Sequence, residues 1–222
     1  MYLLYTFLKK IYKSGVFIKL NLDISTNENV YQPSDDTYLL LDMLNDYLEK
    51  TQKNNLSILD MGTGTGILGI YAASNAKVKA VTLVDINPDA VSLAKSNIAK
   101  NLSVIKAQIT AIQSNLYSNL NSEIFDIILF NPPYLPDEEK EVIMNEAFFG
   151  GWNGIEVTKK FLDSSKDRLT TSGRIFIISS SLADISSLKA FIEKIDFSIQ
   201  RESKVHIFFE DIVAMELALK DK

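Results

Sequence analysis

Short apolar runs alternate with longer amphipathic stretches along most of this chain. Each run is hydrophobic on both faces, which is typical of strands buried in a parallel sheet. The stretches between them repeat apolar residues at helical spacing. The runs cover residues 56–60, 79–85, 109–113 and 125–130. This pattern predicts strands joined by crossover helices, and therefore an α/β fold with a doubly wound, Rossmann-like, mostly parallel sheet.

The two ends of the chain depart from this alternation. Residues 2–20 carry apolar residues at near-helical spacing broken by lysines, which predicts an amphipathic helix packed on the core and not a membrane span. A helix on a membrane surface is the less favoured alternative. Pro33 then interrupts the chain, and we expect Ser34 or Asp35 to cap a helix over residues 37–50.

The C-terminal pattern predicts paired strands. A turn at 170–173 and a strand at 174–180 are followed by a helix, after which come strand-like stretches at 197–201, 205–209 and 212–219 with no helix between them. Strands that follow one another so closely pair as antiparallel neighbours. We therefore expect an antiparallel hairpin at one edge of the sheet.

Composition narrows the possible functions. The chain has 222 residues, is 46% hydrophobic and carries a net charge of -5. We expect a single domain over 1–222, with residues 1–29 as an extension packed on the core, and a cytoplasmic protein. The acidic balance argues against a nucleic-acid partner. The absence of cysteine excludes thiolate zinc sites and cysteine nucleophiles, and the single histidine, His206, is expected to be structural, so no metal site is predicted.

A glycine-rich loop follows the first apolar run. Gly62, Gly64 and Gly66 come directly after Asp60, and they let the backbone turn tightly and approach a ligand closely. Asp85 ends the next run, where a carboxylate can accept both hydroxyls of a ribose. The loop also matches the dinucleotide pattern GxGxxG, so NAD is one candidate. Asp60 would repel a pyrophosphate but suits an ammonium group, which favours S-adenosylmethionine.

The fourth apolar run ends in Asn131, Pro132, Pro133 and Tyr134. The prolines fix two φ angles and remove two backbone donors, so nearby carbonyls are left free to accept hydrogen bonds. The Asn131 carbonyl is a second acceptor, and Tyr134 can supply an aromatic wall. Two fixed acceptors suit a planar NH2 group, which predicts a site for an amide or an exocyclic amine. For an Asn-Pro pair alone, a capped turn is the alternative.

Three further stretches carry candidate functions. Asp35, Asp36 and Thr37 open the predicted helix, where they either cap it or frame a cationic amine of a ligand. Asn115 follows the third run and is either a contact for adenine or a loop cap. Residues 148–154 place three glycines around aromatic residues, which indicates a substrate-side loop or a turn into the following helix. The charged residues 137–141 are expected to begin a solvated helix.

Three of these motifs together resemble the class I S-adenosylmethionine-dependent methyltransferases, and among them the HemK/PrmC-like glutamine methyltransferases. The motifs are residues 60–66, 85–88 and 131–134. Residues 30–37 and 150–156 look like the archaeal and eukaryotic branch of that family. The resemblance implies methylation of the side-chain amide of glutamine in the Gly-Gly-Gln loop of a class I peptide-chain release factor.

The resemblance also implies roles for individual residues. Those implied to bind the cofactor are Thr37, Asp60, Gly62, Gly64, Gly66, Asp85, Asn115 and Leu116. Those implied to act in catalysis or acceptor binding are Asn131, Pro132, Pro133 and Tyr134. The chain departs from the family twice, with Asn115 in place of the usual aspartate and Gln32 in place of a common glutamate. An uncharged Asn115 still accepts from the adenine amine, but more weakly, so we expect lower cofactor affinity.

A partner is implied as well. In this branch a small zinc-binding activator subunit often docks along the edge strand of the sheet. The expected edge here runs from Ile109 to Gln113, and its apolar Ile109, Ala111 and Ile112 favour a covered edge.

The residues themselves leave other functions open. The same two acceptors suit an adenine N6 amine in DNA or RNA, although the acidic charge argues against it. A protein lysine is a less suitable acceptor for a neutral site. A scaffold subunit that binds the cofactor without turnover, and an NAD oxidoreductase, are the remaining alternatives.

Overall fold

The computed structural model of the chain describes residues 10–13, 16–19, 22–136 and 150–220. Its helices are α1 (Asp35–Lys50), α2 (Ile67–Ala73), α3 (Pro88–Lys100), α4 (Glu156–Ser165) and α5 (Ile185–Lys194). Its strands are β1 (Lys10–Lys13), β2 (Val16–Lys19), β3 (Leu56–Met61), β4 (Val78–Asp85), β5 (Gln108–Gln113), β6 (Phe125–Phe130), β7 (Leu169–Ser180), β8 (Phe197–Ile207) and β9 (Glu210–Leu219). A 3-10 turn, Lys166–Arg168, joins α4 to β7.

Seven of the strands form one sheet in the order β5-β4-β3-β6-β7-β9-β8. The first five strands in this order are parallel, and β9 lies antiparallel to both β7 and β8. Strand β5 is one edge and β8 is the other. The predicted doubly wound sheet with an antiparallel C-terminal hairpin at one edge is therefore confirmed.

The two faces of the sheet have separate cores. Successive residues of a strand point to opposite faces, so Ile58 packs with α1 and α2 while its neighbour Leu59 packs with α4 and α5. Both side chains are fully buried. Burial on both faces explains why the strands appear in the sequence as continuous apolar runs.

The N-terminal helix prediction is wrong for the residues that the structure describes there. Strands β1 and β2 form an antiparallel pair in which Ile11 lies opposite Ile18. Both strands are rich in β-branched and aromatic residues, which favour extended pairing over a helix. The rest of the predicted helix, including residues 2–9, lies outside the described residues, and so does the charged stretch 137–141.

The predicted turn at 170–173 is also wrong, because these residues belong to β7. Strand β7 pairs with β6 at Phe125 and Leu169 and again at Ile127 and Arg174. Between these two pairs β6 advances by two residues and β7 by five, so residues 170–173 form a bulge inside a longer strand.

Residues 22–31 form a strap across α3. The buried amides of Asn97 and Asn101 each bond the strap twice: Asn97 pairs with the backbone of Ser25, and Asn101 pairs with the backbone of Asp23. Asn97 also donates to the carbonyl of Thr65 in the glycine loop, at 2.8 Å. The strap is thereby fixed to the loop, and its end delivers the chain to the start of α1.

No helix in the described part of the chain combines the length and the apolar character needed to cross a membrane.

Candidate functional site

A cavity of about 680 Å³ opens where β3, β4 and β6 end. This is the carboxyl side of the parallel strands, on which open α/β sheets bind ligands. Its volume lies in the range of small-molecule sites. The predicted site residues that line it are Thr37, Gly62, Gly64, Asp85, Asn115, Leu116, Asn131, Pro132, Pro133 and Tyr134.

Two predicted cofactor residues, Asp60 and Gly66, are not among the residues that line the cavity. Asp60 is fully buried, and its Oδ2 accepts from Thr63 Oγ1 at 2.6 Å and from the Gly69 N–H at 2.9 Å. These two bonds fix the loop to the start of α2. Burial raises the pKa of the Asp60 carboxyl to about 7, against the opposing effect of both hydrogen bonds.

Asp85 sits at the end of β4 and lines the cavity. Its Oδ2 accepts from the Gly64 N–H and its Oδ1 accepts from the Asn87 N–H, both at 2.9 Å. Burial raises the pKa of Asp85, while these backbone donors oppose the shift. An ionised carboxylate has about four acceptor positions, so both oxygens can still bind the hydroxyls of a ribose.

Asn115 and Leu116 lie on a sharp turn after β5. Leu116 has a φ of 48°, which is uncommon for a branched side chain. Ser114 stabilises the turn by donating to the Leu116 carbonyl at 2.8 Å and accepting from the Asn119 N–H. A polar amide beside an apolar side chain suits the edge and face of adenine. With the open glycine loop and Asp85, these residues fit S-adenosylmethionine.

The other end of the cavity is organised by Asp36, which is only 3% exposed. Its Oδ2 accepts three hydrogen bonds, from Tyr31 Oη at 2.8 Å, Tyr134 Oη at 3.0 Å and Asn131 Nδ2 at 3.1 Å. Its Oδ1 accepts from Thr37 Oγ1 at 3.1 Å. Asp36 therefore joins the beginning of α1 to the segment after β6.

This arrangement determines how the Asn131 amide is oriented. An ionised carboxylate only accepts hydrogen bonds, so the NH2 group of Asn131 faces Asp36. The carbonyl oxygen, Oδ1, is buried and has no hydrogen-bond partner among the described residues. A buried acceptor without a partner costs free energy, roughly 1–3 kcal/mol, which binding of an N–H donor would recover.

The two tyrosines act as donors in this cluster. Burial is the largest cause that raises the pKa of Tyr31 and of Tyr134 well above the ordinary value, and the Asp36 carboxylate adds to both shifts. Both hydroxyls therefore keep their protons and continue to donate to Asp36. Tyr134 lines the cavity and its hydroxyl group holds Asp36, while its role as an aromatic wall stays a prediction.

The glycines at 150–154 allow a second turn to pack on the backbone of the acceptor segment. Gly154 has a φ of 72°, and a Cβ on it would lie 2.3 Å from the Tyr134 carbonyl oxygen. A Cβ on Gly150 would lie 2.5 Å from the Pro133 carbonyl oxygen. Only glycine fits at both positions, so the turn supports the backbone of the Asn131–Tyr134 segment from behind.

Sequence reasoning missed Tyr31 and underestimated Asp36. The acid at 36 was expected to cap a helix or to frame a cationic amine. Of the two acids that open α1, Asp35 is exposed and Asp36 is buried beneath the Asn131 amide. A signal was present, since two acids are more than one cap requires, but the partner Asn131 is 95 residues away in the chain.

Comparison with protein families finds that residues 11–207 match the model of the methyltransferase small domain. A Methanocaldococcus jannaschii protein named as a protein N5-glutamine methyltransferase is 35% identical over 89% of this chain and 94% of its own length. A release factor glutamine methyltransferase of Streptococcus pneumoniae is 32% identical over 70% of this chain, which spans only 56% of that relative.

A solved structure shares the fold. The Mtq2–Trm112 complex of E. cuniculi, described as responsible for methylation of the termination factor eRF1, aligns with a TM-score of 0.64 and 24% identity. The alignment covers 87% of this chain and 99% of that one.

Proposed function

Because this chain belongs to the HemK/PrmC-like class I methyltransferases, whose methyl donor is S-adenosylmethionine, we propose that it methylates the side-chain nitrogen of a glutamine in the Gly-Gly-Gln motif of a class I peptide-chain release factor. The observation that carries this proposal is the buried Asn131 Oδ1 that has no partner among the described residues. Family membership also decides between the two cofactors considered above, and the NAD alternative is wrong.

The chemistry of an amide acceptor makes demands that this site can meet. An amide nitrogen is a poor nucleophile because its lone pair is delocalised into the carbonyl. When bound, S-adenosylmethionine supplies an electrophilic methyl group. Asn131 Oδ1 and the Pro132 carbonyl accept hydrogen bonds from the two N–H groups of the glutamine amide and fix the orientation of its nitrogen. Orientation of two reactants can contribute roughly 7–11 kcal/mol to lowering the barrier.

The same acceptors stabilise the charge that develops during the reaction. As the nitrogen gains the methyl group it becomes more positive, and oxygen acceptors at its two hydrogens favour that change. One of these hydrogens is then lost to solvent as a proton, which leaves the methylated amide neutral. Asp36 supports this stabilisation from behind, since its negative charge holds the Asn131 NH2 group and polarises the amide so that Oδ1 is a stronger acceptor. The donating hydroxyls of Tyr31 and Tyr134 keep the Asp36 carboxylate in place.

A neutral acceptor suits this geometry better than the alternatives. A lysine brings a charged ammonium with three donors, which exceeds the two acceptors offered by Asn131 and Pro132. An adenine N6 amine would donate to the same two acceptors, so the geometry of the site does not distinguish adenine from glutamine. The relatives named for glutamine methylation favour the amide.

An activator subunit on the β5 edge is part of this proposal. Strand β5 is an edge strand, as expected, and Ile109, Ala111 and Ile112 are only partly buried on it. An exposed strand edge with apolar side chains is a typical site for a partner to add to the sheet.

The proposal is tested by transfer of labelled methyl groups to a purified class I release factor, with and without the zinc-binding activator subunit. We expect label on the factor at the glutamine of Gly-Gly-Gln, located by mass spectrometry of the digested protein. A factor with alanine in place of that glutamine is the matched control and should remain unlabelled. Label on a DNA duplex, on a lysine, or on no acceptor despite measurable cofactor binding would contradict the proposal.

A further inference from the structure

Four large apolar side chains are exposed near the acceptor end of the cavity. They are Trp152, Leu182, Phe208 and Phe209, which we call the apolar rim, with exposed fractions of 67%, 46%, 89% and 93%. Phe208 and Phe209 are consecutive residues at the tip between β8 and β9. Phe208 has a φ of 50°, a conformation that bulky residues rarely adopt. The tip therefore keeps a costly backbone conformation while it presents two phenylalanines to solvent.

The tip is tied to the acceptor end by hydrogen bonds. Ser180, at the end of β7, donates to Glu210 directly beside Phe209 and accepts from the Leu182 N–H at 3.0 Å. Asp211 donates its N–H to Ser181 Oγ at 2.8 Å. The charge of Glu210 is close enough to Tyr134 to add to the rise in the pKa of its hydroxyl.

Trp152 lies on the turn formed by residues 150–154, and this turn is joined to the same surface. The Asp184 N–H donates to the Asn153 carbonyl at 3.0 Å, which joins the turn that carries Trp152 to the one that carries Leu182. Gly154, two residues after Trp152, lies against the Tyr134 carbonyl. All four members of the apolar rim thus lie on segments attached to the Asn131–Tyr134 segment or to the end of β7.

We propose that the apolar rim is the docking surface for the folded acceptor protein, around the loop that carries the methylated glutamine. This inference rests on the proposed function. A glutamine side chain reaches only about 5 Å from its Cα, so the acceptor backbone must lie at the mouth of the cavity when the amide reaches Asn131. The surface that flanks that loop then covers the residues around the mouth. Exposed aromatic side chains at such a position are the residues that contribute most to protein interfaces.

Charge indicates the chemistry of the acceptor surface. Glu156, Asp184, Glu210 and Asp211 flank the rim, and Lys204 and His206 bond only one of them, Asp211, among the described residues. The charge of Lys159 acts on Asp184, and Lys160 lines the cavity. Glu156 and Glu210 have no cationic partner among the described residues, and these two carboxylates favour an apolar acceptor patch bordered by lysine or arginine. Such pairing at a rim affects the association rate and weakens as salt screens it.

The location leaves the rim free when an activator subunit is bound. The tip joins β8, one edge of the sheet, whereas the proposed activator surface is β5, the opposite edge. The acceptor protein and the activator can therefore bind at the same time.

The test compares wild-type protein with the double variant Phe208→Ser/Phe209→Ser, in complex with the activator. Both side chains are almost fully exposed, so the variant is expected to fold. We expect KM for the intact release factor to rise about 10- to 100-fold, with kcat and the cofactor Kd unchanged. Methylation of a short Gly-Gly-Gln peptide should not change, because a peptide does not reach the tip. The matched control is Leu102→Ser/Ile124→Ser, which removes two apolar side chains that are 65% and 56% exposed and precede β5 and β6.

A direct binding measurement with unreactive protein separates the two proposals. Titration of labelled release factor into Asn131→Ala protein, with and without the two serine substitutions, reports docking without methyl transfer. Rim-dependent binding without methylation by the wild type would support the docking surface and overturn the proposed function. An unchanged KM and unchanged binding in the double variant would overturn the docking surface alone. Loss of self-association in the double variant, with KM unchanged, would assign the rim to a second copy of the chain instead.

Discussion

The two ends of the cavity each depend on a buried aspartate, but the two acids are held in different ways. Asp60, near the cofactor end, is bonded by Thr63 and Gly69, both within nine residues of it in the chain. Asp36, at the acceptor end, is bonded by Tyr31 close by and by Asn131 and Tyr134, which are 95 and 98 residues away. The acid near the cofactor end is therefore held within one continuous motif, and the acid at the acceptor end is held by contacts that the fold assembles.

This difference indicates which changes each end tolerates. A locally bonded acid such as Asp60 positions a backbone loop, and its hydrogen bonds form whenever β3 and α2 form. The acid at the acceptor end is bonded by the nearby Tyr31 and by two side chains of one distant segment, residues 131–134. Any change in how the start of α1 lies against that segment therefore alters the orientation of Asn131. We expect substitutions at the acceptor end to reduce turnover, and substitutions at the cofactor end to reduce cofactor affinity or change stability.

The largest effect is expected from Asn131→Ala. Loss of one acceptor that acts on the developing charge should lower kcat by roughly 100- to 1,000-fold. The cofactor Kd should change by less than about threefold, because the lost interaction of Asn131 is with the acceptor amide and not with the cofactor. Single-turnover kinetics with labelled cofactor, together with equilibrium binding, measure the two quantities. Near-normal turnover in this variant would show that Asn131 does not act on the acceptor.

The opposite behaviour is expected from Asp85→Ala. This change removes a carboxylate that lines the cavity and bonds the Gly64 N–H, so the cofactor Kd should rise by about 100-fold. At saturating cofactor, kcat should stay within about threefold of the wild type. Asp163→Ala, which removes an exposed acid of α4, is the control. A large loss of kcat with an unchanged Kd would remove the distinction between the two ends.

The smallest effect concerns stability and pH. Burial raises the pKa of Asp60 to about 7, well above its value in the unfolded chain. The unfolded state then loses its proton at lower pH than the folded state, so this group stabilises the fold most at low pH and the contribution is lost as pH rises toward 7. Between pH 5.5 and 8 the loss should be about 2 kcal/mol.

Denaturant unfolding of the wild type and of Asp60→Asn at several pH values checks this expectation. The difference between their free energies of unfolding should change with pH over that interval, because the amide does not titrate. Two curves that stay parallel would show that Asp60 does not bind a proton there.

The sequence predicted most of the sheet and the cofactor end because both are encoded locally. The apolar runs that mark β3, β4, β5 and β6 are continuous, and the residues from Asp60 to Gly66 form one motif. The acceptor end was only half predicted. Asn131 and Tyr134 could be identified from the two prolines between them, but no local pattern joins them to Asp36, and only packing of α1 against the end of β6 brings these groups together.

The N-terminal strands were predicted as a helix because the local pattern there is ambiguous. Apolar residues at near-helical spacing predicted a helix, while the short segments around residues 10–19 contain β-branched and aromatic side chains that pair as strands. Periodicity alone does not decide between the two structures in so short a stretch. The sequence also does not show how Asp60 is held, since a carboxylate before a glycine loop can face either the ligand or the backbone. Its Oδ2 bonds Thr63 and the backbone of Gly69, whereas its Oδ1 has no hydrogen-bond partner among the described residues, so the predicted role of Asp60 toward the cofactor stays a prediction.

The most direct measurement of the central claim, that Asp36 acts by holding Asn131, is a double-mutant cycle on turnover. It compares Asp36→Ala, Asn131→Ala and the double variant at saturating cofactor, with cofactor Kd as the check on folding. If Asp36 acts through Asn131, its removal lowers kcat in the wild type but costs less than about threefold once Asn131 is alanine. If the two losses simply multiply, Asp36 and Asn131 act independently, and the acceptor end does not work as a unit.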